Sequence, residues 1–274
     1  MSTEKFFRHI DLLRCPVCGT AFSQCAQSLV CRNGHTFDVS RKGYVHLLPN
    51  AGPSKYDAAL FEARRRILEG GFYDGVIRVI RDAMPVDSTV VLDAGCGDGT
   101  FTKALEGSVT VGLDNSKDAI TLAARGGNPI LWTVGDLTRI PLRDGSVDVI
   151  LNLFSPAHYG EFSRVLKQDG LLLKLVPQTG YLGEIRAMIG RDAYSNEAVV
   201  SHLREHFRLI DRVRMTETFM LSETQARDFL AMTPLTFDVA PDRLDASRLT
   251  HITIDVELLI AQEKRAGDRL NSFR

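Results

Sequence analysis

Asp93, Gly95, Gly97, Asp98 and Gly99 fall in the run VVLDAGCGDGT at 90–100, where an apolar stretch ends in a carboxylate and three glycines follow within five positions of one another. Val90, Val91 and Leu92 predict a buried strand. Glycines, having no Cβ, let main-chain N–H groups come close to a ligand in the turn that leads on to a helix. The chemistry on offer is therefore binding. The spacing is G-x-G-x-G with no following phosphate lysine, so neither the dinucleotide G-x-G-x-x-G fingerprint nor a P-loop is met. A second apolar run at 109–113 ends in Asp114, with Asn115 beside it, about twenty residues after Asp93. A carboxylate at that strand end offers two acceptors that match the 2′ and 3′ hydroxyls of a ribose. A third run, 130–134, leads into Gly135-Asp136-Leu137, where Asp136 is either a simple loop cap or a ligand contact. A fourth, 147–151, leads into Asn152-Leu153-Phe154-Ser155-Pro156 at the carboxyl edge, where open α/β sheets bind their ligands.

A different chemistry precedes these runs. Cys15 and Cys18 form a C-x-x-C knuckle, and after twelve residues Cys31 and His35 form a second. Three thiolates and an imidazole at this spacing can close a tetrahedron around Zn²⁺. All four positions are filled by protein, so the zinc is expected to be structural. Cys25 lacks a knuckle partner and is expected to be a bystander, and Cys96 a small filler within the glycine loop. With five cysteines and no leader expected, disulfides are disfavoured and a reducing, cytoplasmic compartment is the expectation.

Positioning these groups needs alternating strands and helices, hence an α/β sheet preceded by a small metal-stapled unit. A chain of 274 residues with 44% hydrophobic content can bury one large core beside such a unit. No segment is long enough to span a membrane, and a formal net charge of −1 argues against a purely electrostatic nucleic-acid binder. The distribution says more, because residues 1–56 carry seven Lys/Arg against three acids and the remainder balances at −5. Small basic metal modules commonly present cations to RNA. In Arg41-Lys42-Gly43-Tyr44, and at Phe37, the aromatic rings either stack on a base or pack over the knuckles. Residues 49–55 read as a linker with two prolines. A helix follows over 57–69, with Arg64, Arg65 and Arg66 mostly solvated and Gly70-Gly71 as its stop. A further helix opens at Phe72-Tyr73, which brings Tyr73 near the glycine loop. Ser222 and Gln225 predict a capping box, Thr233-Pro234 a helix stop or a substrate-lining turn, and residues 249–260 a late strand.

The glycine loop with its two acidic strand ends resembles motif I of class I S-adenosylmethionine (SAM) methyltransferases. More widely, LRCPVCG, CRNGHTFDVSRKGYVHLLP, ILEGGFYDGV, VVLDAGCGDGT, LNLFSPAHYGEFSRVL and AMTPL look like the RlmA family of 23S rRNA guanine-N1 methyltransferases over nearly the whole chain. LNLFSP is similar to the Gram-positive branch, which modifies a guanine in hairpin 35 and includes enzymes that contribute to resistance to the macrolide tylosin. The resemblance implies a class I Rossmann-like α/β sheet of seven strands with a small N-terminal zinc-binding domain. It divides the chain into a zinc-binding RNA-recognition module over 1–48, a linker over 49–56 and a SAM-dependent methyltransferase domain over 57–274. It also implies a dimer in many members.

Carried over by motif, Cys15, Cys18, Cys31 and His35 hold zinc. Tyr73, Gly97 and Asp98 likewise contact SAM; Asp93, Gly95, Gly99, Asp114 and Asn115 are expected to complete its site, and Asp136 and Leu137 to take its adenine. A histidine contact of the Gram-negative branch falls here on Tyr181. Guanine N1 bears a proton, so methyl transfer requires its removal together with in-line placement of N1. Asn152 and Ser155 are expected to orient the Watson–Crick edge, Phe154 to stack on the base and Pro156 to stiffen the loop. A small-molecule methyltransferase and a non-catalytic RNA-binding protein are the competing classes. The basic zinc module disfavours the first, and the intact carboxylates and glycines disfavour the second.

Overall fold

The structure is a computed structural model that describes residues 3–48, 58–105 and 109–264; the expected linker at 49–56 lies outside the described residues. A short helix α1 (Glu4–Arg8) is followed by strands β1 (Phe22–Cys25), β2 (Ser28–Cys31), β3 (Thr36–Asp38) and β4 (Tyr44–His46). Then come α2 (Ala58–Glu69), α3 (Asp74–Ala83), β5 (Val90–Ala94), α4 (Thr100–Ala104), β6 (Val109–Asp114), α5 (Lys117–Ala123) and β7 (Leu131–Val134). The chain continues with β8 (Val147–Leu153), α6 (Tyr159–Val165), β9 (Leu166–Pro177), α7 (Gly183–Ile189), α8 (Glu197–His206), β10 (Phe207–Met220), α9 (Glu223–Met232) and β11 (His251–Glu263).

The large sheet runs β10-β11-β9-β8-β5-β6-β7-β4. Every pairing from β4 to β9 is parallel, while β11 pairs antiparallel with both β9 and β10. Its central strands are near-continuous apolar runs, as expected of strands buried on both faces. The strand order reverses between β5 and β8, so their carboxyl ends open into the crevice where such sheets bind ligands. The seven expected strands are all present, and β4 adds an eighth from the N-terminal segment.

That eighth strand ties the N-terminal residues to the core. Strands β1, β2 and β3 form their own antiparallel sheet, but β4 pairs with β7 through Tyr44↔Trp132, Val45↔Thr133 and His46↔Val134. Phe6, Leu13, Leu29 and Cys31 share one apolar cluster with Leu92, Leu113, Leu131 and Leu142. The backbone N–H groups of Arg14 and Arg143 donate to Pro141 and Leu12 at 3.0 Å each. Lys5 donates from Nζ to the carbonyls of Ile130 (2.6 Å) and Asn128 (3.1 Å), and burial pulls its amine down to about 8. Tyr44, left open between base stacking and packing, is buried in this edge strand, whereas Phe37 meets Phe22 edge-on at 5.7 Å over the knuckles. The capping box at Ser222 and Gln225 is formed, and α9 ends at Met232 before Thr233-Pro234.

Candidate active site and metal centre

Cys15, Cys18, Cys31 and His35 converge so that their donor atoms all lie within 4.8 Å of one another. The Cys18 and Cys31 sulfurs are 3.6 Å apart, and His35 Nδ1 is 3.2 Å from Cys31 Sγ and 3.7 Å from Cys15 Sγ. A tetrahedron with Zn–S bonds of about 2.3 Å has edges of about 3.8 Å, so the cluster needs only a small adjustment to close on an ion. The Thr20 hydroxyl, 3.2 Å from Cys18 Sγ, pulls that thiol down to about 6, and burial pushes the Cys15 thiol up. Three thiols and an imidazole fit Zn²⁺ and leave no ligand position for water. Cys25 is exposed in β1, away from the four. Among the described residues a second group, His202, Glu205 and His206, lies exposed on α8, where both rings pack against Tyr159 at 5.1–5.2 Å.

The glycine loop lines a cavity of about 500 Å³ at the sheet's switch point. Gly95 and Cys96 donate their N–H groups to Leu113 O at 2.8 and 3.1 Å, which folds the loop over the end of β6. Gly97 N and Ser116 N each donate to one Asp114 oxygen, at 2.9 and 2.8 Å. A carboxylate has about four acceptor sites, so Asp114, which faces the cavity, keeps capacity for a diol. Gly95 adopts φ +90°, and a Cβ there would lie 1.9 Å from Ser155 Oγ, so the two loops touch only because Gly95 has no side chain. Gly99 serves packing instead, since its Cβ would lie 2.4 Å from the Trp132 ring.

Of the expected cofactor residues, Tyr73, Gly95, Gly97, Asp114, Asn115, Asp136, Leu137 and Tyr181 line the cavity. Asp93, Asp98 and Gly99 do not; they sit behind the loop and build it. Asp93 accepts from the Thr102 hydroxyl at 2.6 Å through Oδ2, leaving Oδ1 buried without a partner, and burial pushes its carboxyl up to about 7. Asp98 accepts from Thr100 N through Oδ1, and its Oδ2 is likewise buried and unpartnered. A backbone cradle with the carboxylates of Asp114 and Asp136 on its wall suits a ligand that carries cationic ammonium and sulfonium groups beside a ribose. SAM fits this donor set.

Beside the glycine loop, Phe154, Ser155 and Pro156 also line the cavity. Phe154 holds a left-handed φ of +54°, a strained conformation for a bulky residue of the kind that collects at functional sites. Its ring stacks on Tyr181 (5.2 Å, 25°) and meets Tyr73 edge-on (6.1 Å, 87°), and the two tyrosine hydroxyls lie 2.7 Å apart. Asn152 departs from expectation. It is fully buried beneath the loop, donates from Nδ2 to the Ala94 and Pro156 carbonyls at 3.0 Å each, and accepts from Lys174 Nζ at 2.5 Å. Every hydrogen-bonding group of its side chain is thus engaged by protein, so it shapes the loop and does not face a base.

Two charged residues escaped the sequence reading. Arg64, expected in solvent, lines the cavity, with its guanidinium 3.9 Å from where a Cβ of Gly97 would stand. Its neighbours do behave as surface groups, Arg65 pairing with Glu69 and Arg66 with Asp228. Lys174 is buried in β9, and its signal was visible as one cation inside the apolar run LLLKLV. Met232, Thr233 and Pro234 both end α9 and line the cavity.

Comparison with known proteins agrees with this geometry. Residues 13–52 match the family described as "RlmA, N-terminal", and residues 92–173 match "Methyltransferase domain". The chain is 36% identical to the Bacillus subtilis protein YxjB, provisionally described as a 23S rRNA (guanine-N(1)-)-methyltransferase, covering 92% of this chain and 98% of that one. It is 32% identical to the 23S rRNA (guanine(748)-N(1))-methyltransferase of Streptomyces fradiae, covering 86% and 89% respectively. Among solved structures, the YcgJ protein of Bacillus subtilis superimposes with a TM-score of 0.51 at 15% identity, covering 70% of this chain and all of that one, which reflects the shared fold.

Proposed function

The chain belongs to the RlmA family of 23S rRNA (guanine-N1)-methyltransferases, and on that premise we propose that it methylates N1 of a guanine in the hairpin-35 region of large-subunit rRNA. The observation that carries the reading is the shared cavity, lined both by Gly95, Gly97 and Asp114 and by Phe154, Ser155 and Pro156. The ribbon of Cys15, Cys18, Cys31 and His35 packed on the same sheet supports an RNA substrate over a small molecule.

Bound SAM supplies an activated sulfonium methyl group. The protein's own work is placement and exclusion of water, and the N1 proton must leave the guanine as the methyl group is transferred. Asp114 takes the ribose hydroxyls, Asp136 and Leu137 the adenine, and Arg64 the methionine carboxylate. Phe154, propped by Tyr181, offers a ring face for the guanine, and the Ser155 hydroxyl reaches its Watson–Crick edge. Because N1 lies on the pairing edge, the target guanine must be unpaired or extruded, which costs least in a loop. The zinc ion holds the ribbon and takes no part in the transfer.

On this reading residues 1–48 recognise RNA, residues 57–274 carry out the transfer, and two chains form a dimer that cradles one RNA in the cytoplasm. Modification of hairpin 35 would also reduce susceptibility to tylosin. Mapping reverse-transcription stops on 23S rRNA from cells with and without the gene tests the site. A stop at a hairpin-35 guanine that disappears with the gene is the expected result. Unchanged stops across that hairpin would overturn the assignment.

A further inference from the structure

We propose that Lys174 is a positioning residue for methyl transfer, its buried ammonium locking the Asn152–Pro156 loop against the glycine loop so that Phe154 and Ser155 face the cavity. The inference rests on the methyltransferase reading and extends it to a residue outside the cavity wall. Lys174 and Asn152 are register partners on the parallel strands β9 and β8. Lys174 is 4% exposed and donates from Nζ to Asn152 Oδ1 at 2.5 Å and to the Ser155 carbonyl at 3.1 Å. Asn152 in turn donates to the Ala94 carbonyl, where β5 gives way to Gly95, and to the Pro156 carbonyl, both at 3.0 Å. One cation therefore fixes the carbonyl of Ser155 directly. Through a single amide it also ties the carbonyl end of β5 to the end of the substrate loop.

The arrangement has a purpose beyond packing, because a buried cation is a poor way to stabilise a sheet. Among the described residues no carboxylate pairs with Lys174, and desolvation pulls its amine down to about 8. An apolar side chain of similar length would remove that desolvation penalty, although it would leave Asn152 Oδ1 and the Ser155 carbonyl short of a donor. What the ammonium supplies is a fixed backbone for the intervening Phe154, held at φ +54° with its N–H 3.3 Å from Leu175 O. Ser155 depends on the same lock, since its Oγ occupies the space that Gly95 leaves free.

The test uses the full-length, zinc-loaded protein and the variants Lys174→Met and Lys174→Gln, read by four measurements: melting temperature, SAM affinity by calorimetry, kcat and KM on 23S rRNA, and hydrogen exchange across residues 152–156. The expected result is SAM affinity within about threefold of the parent and kcat reduced about 10-fold to 100-fold at unchanged KM, as for a displaced reacting group. Faster loop exchange with an undiminished melting temperature is expected alongside. Adding Asn152→Ala to Lys174→Met should cost little more, since both break one network. Parent-like kcat and loop exchange in both variants would overturn the proposal, as would a kcat loss that merely follows loss of SAM binding or of folding. Should Lys174→Met fail to fold, Lys174→Gln, which keeps a donor nitrogen without the charge, decides by the same criteria. Failure of the parent protein to methylate rRNA would instead count against the function, and the loop-exchange comparison would still judge the role of Lys174.

Discussion

At the scale of single residues, the site divides into groups that face the ligand and groups that shape the wall. Asp114 keeps free acceptor capacity toward the cavity, so Asp114→Ala should weaken SAM binding by roughly 10-fold to 100-fold, the worth of a charged hydrogen-bonded contact; calorimetry reads it directly. Asp93 is of the second kind, and its buried carboxyl is raised to about 7. Folding thus takes up a proton between the ordinary carboxylate value near 4 and 7, so the cost of the buried charge is absent below about pH 4 and complete above 7. Asp93→Asn should therefore raise the melting temperature at pH 8, on the order of 5 °C, and leave it unchanged at pH 4. A destabilisation that is the same at both pH values would contradict this account. Cys15, Cys18, Cys31, His35 and Asp114 were legible because their spacing carries their chemistry. Asn152 was misplaced because the fourth run was ended at 151, whereas β8 continues through Leu153 and seats Asn152 inside the sheet beside Lys174. Arg64 was missed because three consecutive arginines look alike until the helix is docked.

At the scale of elements, the alternation of apolar runs and glycine turns located β5 to β8 and their order of function, whereas β9 was not foreseen. Strand ends were less legible: the late strand expected at 249–260 extends over His251–Glu263, because its pairing with β10 continues to Phe207↔Glu263. The sequence also hid β4. A three-residue strand has no period of its own, and its partner β7 lies nearly ninety residues away. Its placement has a mechanical consequence, because β7 leads directly to Gly135 and Asp136 at the cavity. Removing zinc with a chelator should lower the melting temperature and accelerate hydrogen exchange in β4 and β7 as well as in the ribbon. Loosening confined to β1, β2 and β3 would show that the ribbon and the sheet are mechanically independent.

At the scale of the whole molecule, a net charge of −1 conceals a basic N-terminal segment set on a more acidic body. RNA binding that neutralises phosphates releases counterions, so affinity for rRNA should fall steeply between about 50 and 200 mM salt while SAM affinity changes little. Equal salt dependence of the two ligands would argue against a separate electrostatic RNA surface. Fold class and family were legible because motifs repeat at fixed places along the chain. The docking of ribbon on sheet was not, since it depends on apolar contacts between residues such as Leu13 and Leu142 that are distant in sequence. The most direct measurement is incubation of the purified protein with unmodified 23S rRNA and isotope-labelled SAM, followed by nucleoside mass spectrometry. The account predicts label in N1-methylguanosine, at about one per rRNA molecule when transfer is specific. Label at another base position, or none in the RNA, would contradict it.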